Sequence, residues 1–459
     1  MFGYELVRPK EVFPVVFAVA LFIVIAIARL ASSGLGYSMR GLAENENLAR
    51  AVGIDTSRNA TIAFSLSGAM AAVAGSLYAH TVGFVSPEVF GFAIMINTLL
   101  MVIAGGMGTV LGPVIGAVLF TQLPEMLRFS DEWRLVIYGL VLVLLVRFMP
   151  RGLWGTALHV MRQRALAAEA PAGDEGEADA AEKLDRKGRA MPSRELVMNG
   201  NVSTEDSLVV DRLTVCFGAL CAVTSLALEA EPGRITALIG PNGAGKSTVF
   251  NAITGFVPAA EGTVRLGAER LTGLPPHVIS QRGVVRTFQK RSLFPRLTVF
   301  HNLRIGLHTT EPRSVFGTML GVPRCRRAQH EVEATARELA RFVGIEQELE
   351  REARALPYGR QRMLAVAIAL AARPAFLLLD EPSAGLNRTE TTVMAGLLDR
   401  VRKAGVGVVL VEHDMKFLLG ISHHVAVLNA GEKIAEGTPA QIQADPQVRA
   451  AYLGERTAT

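Results

Sequence analysis

The sequence predicts an α-helical membrane segment of four or five spans, followed by an α/β domain. Two observations support this order. Long apolar runs all lie before residue 151, whereas short β-branched runs alternate with helical ones after residue 208. The mean hydropathy of the 459-residue chain is also +0.32, which is high for a wholly soluble enzyme.

The membrane segment is predicted from five apolar runs, at 13–28, 61–79, 92–104, 110–127 and 135–146. The first carries no charge and, with its flanks, is long enough to cross a bilayer. A cleaved signal peptide is the alternative for this run, but four further runs argue against it. The third and fifth runs are short, so the predicted number of spans is four or five.

Arginines predict how this segment is oriented. Two stretches are rich in arginine, one between the first two runs (29–58) and one after the last (147–164). The positive-inside rule places both in the cytoplasm, and therefore also the domain that follows them.

The basic pI of about 9.2 is compatible with binding to nucleic acid or to an anionic membrane surface. The apolar runs favour the membrane over nucleic acid.

The composition divides the chain into a membrane segment at 1–160, a flexible linker at 161–207 and the α/β domain at 208–456. The linker is rich in Ala, Glu, Asp, Gly and Pro, which cannot bury enough apolar surface to offset the chain entropy.

The three cysteines, Cys216, Cys221 and Cys325, are odd in number and lack metal-ligand spacing. We therefore expect free thiols that fill small apolar spaces.

Four runs in the second half predict strands, at 208–215, 234–240, 375–381 and 406–412. The last three are almost continuously apolar, as is typical of a parallel sheet that is buried on both faces. They alternate with helical patterns at 246–254 and 361–372. This alternation predicts a doubly wound α/β domain.

A glycine-rich loop follows the second of these strands. The residues Gly240-Pro241-Asn242-Gly243-Ala244-Gly245-Lys246-Ser247-Thr248 match the P-loop pattern G-x-x-x-x-G-K-[ST] between a strand and a helix. The glycines allow backbone N–H groups to face phosphates, and the helix N-terminus adds its positive dipole. We expect ATP in this loop, with Lys246 on the phosphates and the Ser247 hydroxyl on Mg²⁺.

Two carboxylates, Asp380 and Glu381, end the third predicted strand, at 375–381. Open α/β sheets bind their ligands at this edge. Downstream of a P-loop, this pattern predicts that Asp380 holds Mg²⁺ and that Glu381 polarises the attacking water.

From residue 208 onward these motifs resemble the ATP-binding subunit of ATP-binding cassette (ABC) transporters. The signature loop of the family corresponds to Leu356-Pro357-Tyr358-Gly359-Arg360-Gln361, where Pro357 replaces the usual serine. The resemblance implies that Gly359 contacts the nucleotide of the opposite subunit. A plain helix start is the alternative for this segment.

The same resemblance assigns the remaining site residues. It makes Gln289 the Q-loop residue that contacts the γ-phosphate and Mg²⁺, and His413 the switch histidine that contacts the γ-phosphate. Asn387 stands where the D-loop usually has aspartate. Phe217 is either the aromatic residue that stacks on adenine or a core phenylalanine.

The ATP-binding half is most similar to one of the two ATPases of branched-chain amino acid importers. The segments that carry this likeness are 284–289, 316–328, 356–359, 384–387, 412–416 and 451–455. The membrane half separately resembles the C-terminal part of the matching permease. Its loop at 41–55 resembles the coupling helix that docks on the ATPase, and 84–88, 105–109 and 150–152 match as well.

The resemblance implies ATP-driven import of branched-chain amino acids across the cytoplasmic membrane. It also implies a second ATPase, a second permease and an external substrate-binding protein as partners, with lipid around the spans. Such permeases are longer than this membrane segment, so either another polypeptide supplies the remaining helices or the gene is shortened. Two alternatives remain: an importer of urea or another small amide, and a membrane-anchored ABC ATPase that transports nothing.

Overall fold

The computed structural model describes residues 9–126, 139–140, 143–144, 147–149, 152–169, 206–288, 292–310 and 314–453. The chain forms two compact units. The first comprises Met1–Ser32, Ala63–Glu175 and Val315–Gly321, and the second comprises Ser33–Ile62, Gly176–Ser314 and Val322–Thr459. The linker predicted at 161–207 lies mostly outside the described residues.

The helices of the described residues are α1 (Pro9–Ala31), α2 (Gly34–Glu44), α3 (Glu46–Ala51), α4 (Thr56–Val82), α5 (Phe92–Gly105), α6 (Leu111–Met126), α7 (Gly152–Glu169), α8 (Lys246–Ile253), α9 (Pro276–Gln281), α10 (Val299–Gly306), α11 (Val315–Leu320), α12 (Pro323–Val343), α13 (Tyr358–Ala371), α14 (Arg388–Lys403), α15 (Met415–Ile421), α16 (Pro439–Ala444) and α17 (Pro446–Leu453).

The strands are β1 (Leu208–Phe217), β2 (Leu220–Ala230), β3 (Ile235–Ile239), β4 (Glu261–Leu266), β5 (Glu269–Arg270), β6 (Val284–Arg286), β7 (Phe376–Asp380), β8 (Gly407–Val411), β9 (His424–Asn429) and β10 (Glu432–Gly437).

The first four apolar runs correspond to α1, α4, α5 and α6, as the sequence predicts. Only two helices among the described residues are long and apolar enough to cross a bilayer, Val12–Ala31 and Thr56–Val82. The other two contain shorter apolar stretches, Ile94–Gly105 and Leu111–Gln122. The fifth predicted run lies largely outside the described residues, so the count of four or five spans is not confirmed.

The second unit contains the predicted parallel sheet, with one antiparallel strand, β10, at its edge. Its six strands run in the order β10-β9-β3-β8-β7-β6, and β3 pairs in parallel with both β8 and β9. The strands β3, β7 and β8 are buried along their whole length, which explains their continuous apolar sequences. Because these strands are parallel, the segments that follow them emerge at the same edge of the sheet.

A second sheet, which the sequence analysis did not predict, has four strands in the order β2-β1-β4-β5. Its pairings are antiparallel. Strand β1 alternates between buried and partly exposed positions, with Leu213 and Val215 fully buried. This alternation is typical of a sheet with one face on a hydrophobic core.

The expectation of three free thiols is wrong for two of them. Cys216 and Cys221 face each other across the β1–β2 hairpin and form a disulfide, whereas Cys325 is free. The physical reason is the short turn between the strands, which pairs Phe217 with Leu220 and therefore brings the flanking residues opposite each other.

Candidate nucleotide-binding site

The P-loop connects β3 to α8, as predicted, and its glycines have conformations that require glycine. Gly243 and Gly245 have φ of +83° and +99°. A Cβ atom on Gly245 would lie 2.6 Å from the carbonyl oxygen of Ala222, so a larger residue would clash with β2. The loop therefore packs its backbone closely against β2, in the kind of glycine-rich turn that binds anions through backbone N–H groups.

Lys246 begins α8 and is buried, with an exposed fraction of 8%. Its Nζ donates hydrogen bonds to the carbonyl oxygens of Gly240 at 2.7 Å and Pro241 at 2.8 Å. Burial lowers the pKa of Lys246, and the negative charges of Glu381 and Asp380 oppose this shift. The ammonium is thus folded back onto the P-loop, beside the two carboxylates that end β7.

Asp380 forms a buried ion pair with Arg286. Arg286 Nη2 donates to Asp380 Oδ2 at 2.9 Å, and Arg286 Nη1 donates to Asn251 Oδ1 of α8. The guanidinium also lies over the rings of Phe250 and Phe288, with Cζ 5.4 and 5.1 Å from the ring centroids. Burial lowers the pKa of Arg286, and Asp380 opposes this shift.

Arg286 lies in a motif shared with the family (284–289), and the sequence alone assigns it no role. An arginine that ends an otherwise apolar strand, Val284-Val285-Arg286, was a signal that it needs a buried acidic partner.

Glu381 and His413 are brought together, as the predicted roles require. Glu381 Oε1 lies 2.8 Å from His413 Nε2, and the side chains are 14% and 49% exposed. The backbone of Glu381 has a φ of +50°, and its N–H donates to the Val411 carbonyl at 2.8 Å. A non-glycine residue in this region is held there by its surroundings, and such positions cluster at functional sites.

Glu412 is a buried acidic residue to which the sequence alone assigns no role. It is 3% exposed, and its Oε1 accepts a hydrogen bond of 2.6 Å from the backbone N–H of Ser383. Its Oε2 accepts one of 3.1 Å from the N–H of His413. Glu412 therefore ties the turn that carries His413 to the segment that follows Glu381.

The D-loop asparagine serves as a helix cap. Asn387 Oδ1 accepts from the N–H of Glu390, and Glu390 Oε2 accepts from the N–H of Asn387, both at 2.9 Å. This reciprocal pair is a capping box at the start of α14. Asparagine and aspartate cap helices about equally well, which explains how the replacement is tolerated.

The signature segment begins α13, and Gly359 lies in its first turn with Pro357 as the N-cap residue. No side-chain hydrogen bond caps this helix at Pro357. A Cβ on Gly359 would lie 2.1 Å from Glu390 Oε1, and one on Gly385 would lie 2.8 Å from the Tyr358 ring. The signature therefore packs against the D-loop and the start of α14, and the φ of +79° at Gly385 favours glycine in the D-loop.

The remaining residues predicted to bind nucleotide or Mg²⁺ differ in how exposed they are. Asn242 and Ser247 are exposed on the P-loop and the start of α8, and Thr248 is half-buried. Phe217 is 53% exposed at the end of β1, so it is not a core residue. Gln289 lies outside the described residues.

The loop that is predicted to couple the two halves contains two helices. Its helices are α2 and α3, joined at Asn45, whose Oδ1 accepts from the N–H of Leu48 at 3.2 Å. Leu48 and Ala49 are buried in the same hydrophobic core as Leu303 and Ile305 of α10. The loop thus belongs to the core of the second unit.

Polar contacts fix this loop in register. The Gly53 carbonyl oxygen accepts from Gln281 Nε2 at 2.6 Å and lies 3.1 Å from His308 Nε2. The Tyr37 ring lies under the guanidinium of Arg304, with Cζ 4.5 Å from the centroid. Neither Gln281 nor His308 was singled out from the sequence, because their partner lies more than two hundred residues away.

The fold and the site define an ATPase of the ABC type. Residues 223–384 match the ABC transporter family, and 432–458 match the branched-chain amino acid ATP-binding cassette transporter family. Residues 2–146 match the permease component of branched-chain amino acid transport systems. The chain belongs to the family of branched-chain amino acid transport ATP-binding proteins, and here a permease-type segment is fused to the ATPase.

Two relatives support this membership. The high-affinity branched-chain amino acid transport ATP-binding protein BraF of Pseudomonas aeruginosa is 42% identical over 249 residues, 54% of this chain and 98% of BraF. LivG of Escherichia coli, which bears the same description, is 43% identical over the same lengths. A solved ATP-binding cassette of an ABC transporter in its ADP conformation is 28% identical, with a TM-score of 0.48, over 55% of this chain and 99% of that one.

Proposed function

We propose that this chain drives the import of branched-chain amino acids across the cytoplasmic membrane by hydrolysing ATP on the cytoplasmic side. The observation that carries the proposal is the loop at 41–55. It continues the permease-type sequence, yet its residues Leu48 and Ala49 share a buried core with α10 of the ATPase. A mere membrane anchor needs no such shared core, so the loop supports mechanical coupling.

The functional domains we propose are a permease segment at 1–160, a linker at 161–207 and an ATPase at 208–456. The loop Ser33–Ile62 is permease by sequence but packs in the ATPase unit. It therefore serves as the docking element through which the ATPase acts on the spans.

In the proposed site, the ATP phosphates lie on the backbone N–H groups of the P-loop, including those of Asn242, Gly243 and Gly245. Lys246 turns from its carbonyl partners toward the phosphates, because a phosphate oxygen is a stronger partner for an ammonium than a neutral carbonyl. Thr248 continues the first turn of α8, whose positive dipole end faces the phosphates. Phe217, exposed at the end of β1, stacks on the adenine.

The donor set fits Mg²⁺, which prefers oxygen ligands and keeps several of its ligands from water and phosphate. The exposed hydroxyl of Ser247 and the carboxylate of Asp380 are such donors, and the resemblance adds Gln289. The ion, when bound, neutralises charge on the phosphates. Arg286, whose Nη2 donates to Asp380 Oδ2, holds this carboxylate in position for the role.

Glu381 is the proposed group that orients and polarises the attacking water. His413 is close enough to hold the carboxylate in place and to contact the γ-phosphate. Glu412 fixes the backbone of His413 and of Ser383 together, so the switch histidine and the D-loop move as one piece.

A complete site needs a second ATPase subunit. The uncapped N-terminus of α13 with Gly359 is the surface we assign to the nucleotide bound by that subunit. Closure of two such subunits on ATP moves α2 and α3, and hydrolysis resets them. The further partners are a second permease subunit and an external substrate-binding protein.

The test is uptake of radiolabelled leucine by proteoliposomes that contain the chain, its partner subunits and internal ATP. We expect uptake that fails with the Glu381→Gln variant and that unlabelled isoleucine and valine suppress. Suppression by urea or a small amide instead would assign another substrate. ATP hydrolysis without any uptake would contradict the proposed function.

A further inference from the structure

A short helix in the middle of the ATPase sequence belongs to the unit that contains the membrane-type helices. Residues Val315–Gly321, which include α11, group with α1, α5 and α6 rather than with the rest of the ATPase. Helix α11 packs directly on α1.

The contact is at the end of α1 that follows its apolar stretch. Arg29, in the last turn of α1, donates from Nη1 to the carbonyl oxygen of Met319 at 3.2 Å. A Cβ on Gly321 would lie 3.1 Å from the Arg29 guanidinium carbon. An arginine at the end of a span extends its charge to the level of the lipid headgroups, so the C-terminus of α11 lies at that level.

The exposure pattern of α11 is the reverse of that of a soluble surface helix. Phe316 and Leu320, four residues apart on one face, are 79% and 63% exposed. The polar residue between them, Thr318, is 7% exposed. A surface helix in water buries its apolar face and exposes its polar one. In α11 the apolar face points away from the protein, which suits contact with acyl chains.

Charge next to α11 favours an anionic surface. Arg324 and Arg327, which follow α11 in sequence, are both exposed. Basic residues beside an apolar segment bind anionic headgroups.

We infer that α11 lies in the headgroup and acyl boundary of the cytoplasmic leaflet, with Phe316 and Leu320 in lipid. A segment of the ATPase sequence would then contact the bilayer surface directly, beside α1. This inference rests on the part of the proposed function that places α1 across the membrane.

The test uses the full chain in lipid nanodiscs of phosphatidylethanolamine and phosphatidylglycerol. Tryptophan replaces Phe316 (Phe316→Trp) in a background with Trp133→Phe and Trp154→Phe. One set of discs carries lipids brominated near the top of the acyl chain. A helix at this boundary is buried about 5–10 Å, so we expect bromine to quench the emission about twofold while aqueous iodide has little effect.

Two reference variants interpret the result. Phe17→Trp, on the lipid-type surface of α1, should be quenched by bromine, and Leu220→Trp, 70% exposed on the ATPase, should be quenched by iodide. If iodide quenches Phe316→Trp, the segment is in water and the inference is wrong. If neither agent quenches it, a protein surface covers α11 and the inference is again wrong.

Failure of Phe17→Trp to respond to bromine would overturn both the inference and the membrane placement of α1. Quenching of Phe17→Trp without quenching of Phe316→Trp would overturn the inference alone and leave the proposed function intact.

Discussion

The guanidinium of Arg286 is bound to the carboxylate of Asp380, with Nη2 2.9 Å from Oδ2 and side chains only 4% and 9% exposed. The same guanidinium binds Asn251 of α8. Arg286 is the last residue of β6, which directly precedes the segment that contains Gln289. One buried cation thus joins the P-loop helix, the strand that leads to Gln289 and the carboxylate proposed for Mg²⁺.

Replacing Arg286 with methionine should destabilise the ATPase by about 3 kcal/mol, because breaking a buried ion pair leaves an uncompensated carboxylate. Arg286→Lys should cost less, since it keeps the charge. Thermal unfolding of the full chain measures the first effect. The Mg²⁺ concentration needed for half-maximal nucleotide binding should rise as well, because Asp380 loses its orientation.

The matched control is Arg282→Met, which removes a more exposed ion pair with Glu269. Surface pairs contribute about 0–1 kcal/mol, so this variant should behave like the native chain. Equal unfolding temperatures for Arg286→Met and Arg282→Met would disprove the role given to Arg286.

Glu381→Gln should abolish hydrolysis and retain ATP binding. The amide keeps the size of the side chain and its proximity to His413, but it cannot polarise water as a carboxylate does. Loss of such a group lowers the rate about 10²–10⁴-fold. Phosphate release and fluorescent ATP binding measure the two quantities.

Lys246→Ala is the contrasting variant, because it removes the cation proposed for the phosphates. It should weaken ATP binding itself. If Glu381→Gln also lost binding, Glu381 would have a structural role rather than the proposed one.

The coupling loop contains two acidic residues, on either side of Asn45, that have different surroundings. Glu44, at the end of α2, is near Arg296 and Arg354, and burial raises its pKa while Arg296 opposes the shift. Glu46 forms an exposed pair with Arg50 inside the loop. Glu44→Lys places a cation beside two others and should reduce leucine uptake about tenfold, or ~1.4 kcal/mol of coupling.

Glu46→Lys should leave uptake near the native level, since it loses only a surface pair. ATP hydrolysis by both variants should remain close to native. Normal uptake by Glu44→Lys would mean that the loop does not transmit movement through this contact.

The ATPase should lose stability in mild acid through His423. Burial lowers the pKa of His423 from its ordinary value of 6.5, and the positive charges of Arg402 and Arg234 lower it further. Its Nδ1 accepts from the N–H of Ile235 at 3.3 Å, which requires a neutral ring.

Because the folded pKa is depressed, the unfolded chain binds the proton more readily. The contribution to stability is present above pH 6.5 and is lost as the pH falls below it. His423→Asn keeps an acceptor that does not titrate, so its unfolding temperature should fall less between pH 7.5 and 5.5, by about 2 °C. Parallel curves for both proteins would show that His423 does not contribute.

The residues that could be predicted from sequence are those whose roles follow from local pattern. Lys246, Asp380 and Glu381 each end or follow a recognisable strand, and parallel pairing then brings them to one edge. Arg286 could not be assigned, because its partner Asp380 is 94 residues away. Only packing shows which buried charges meet.

The membrane half was predicted less completely. Helices α1, α4, α5 and α6 follow from apolar composition, but composition does not determine how many of them cross. The disulfide of Cys216 and Cys221 was missed because the odd number of cysteines outweighed their placement on either side of a tight hairpin.

The loop Ser33–Ile62 packs within the ATPase unit, so this loop and the surface that receives it are segments of one polypeptide. Their effective concentration is then set by chain connectivity, typically in the millimolar range, and not by expression level. Dilution that would dissociate separate subunits leaves this pairing intact.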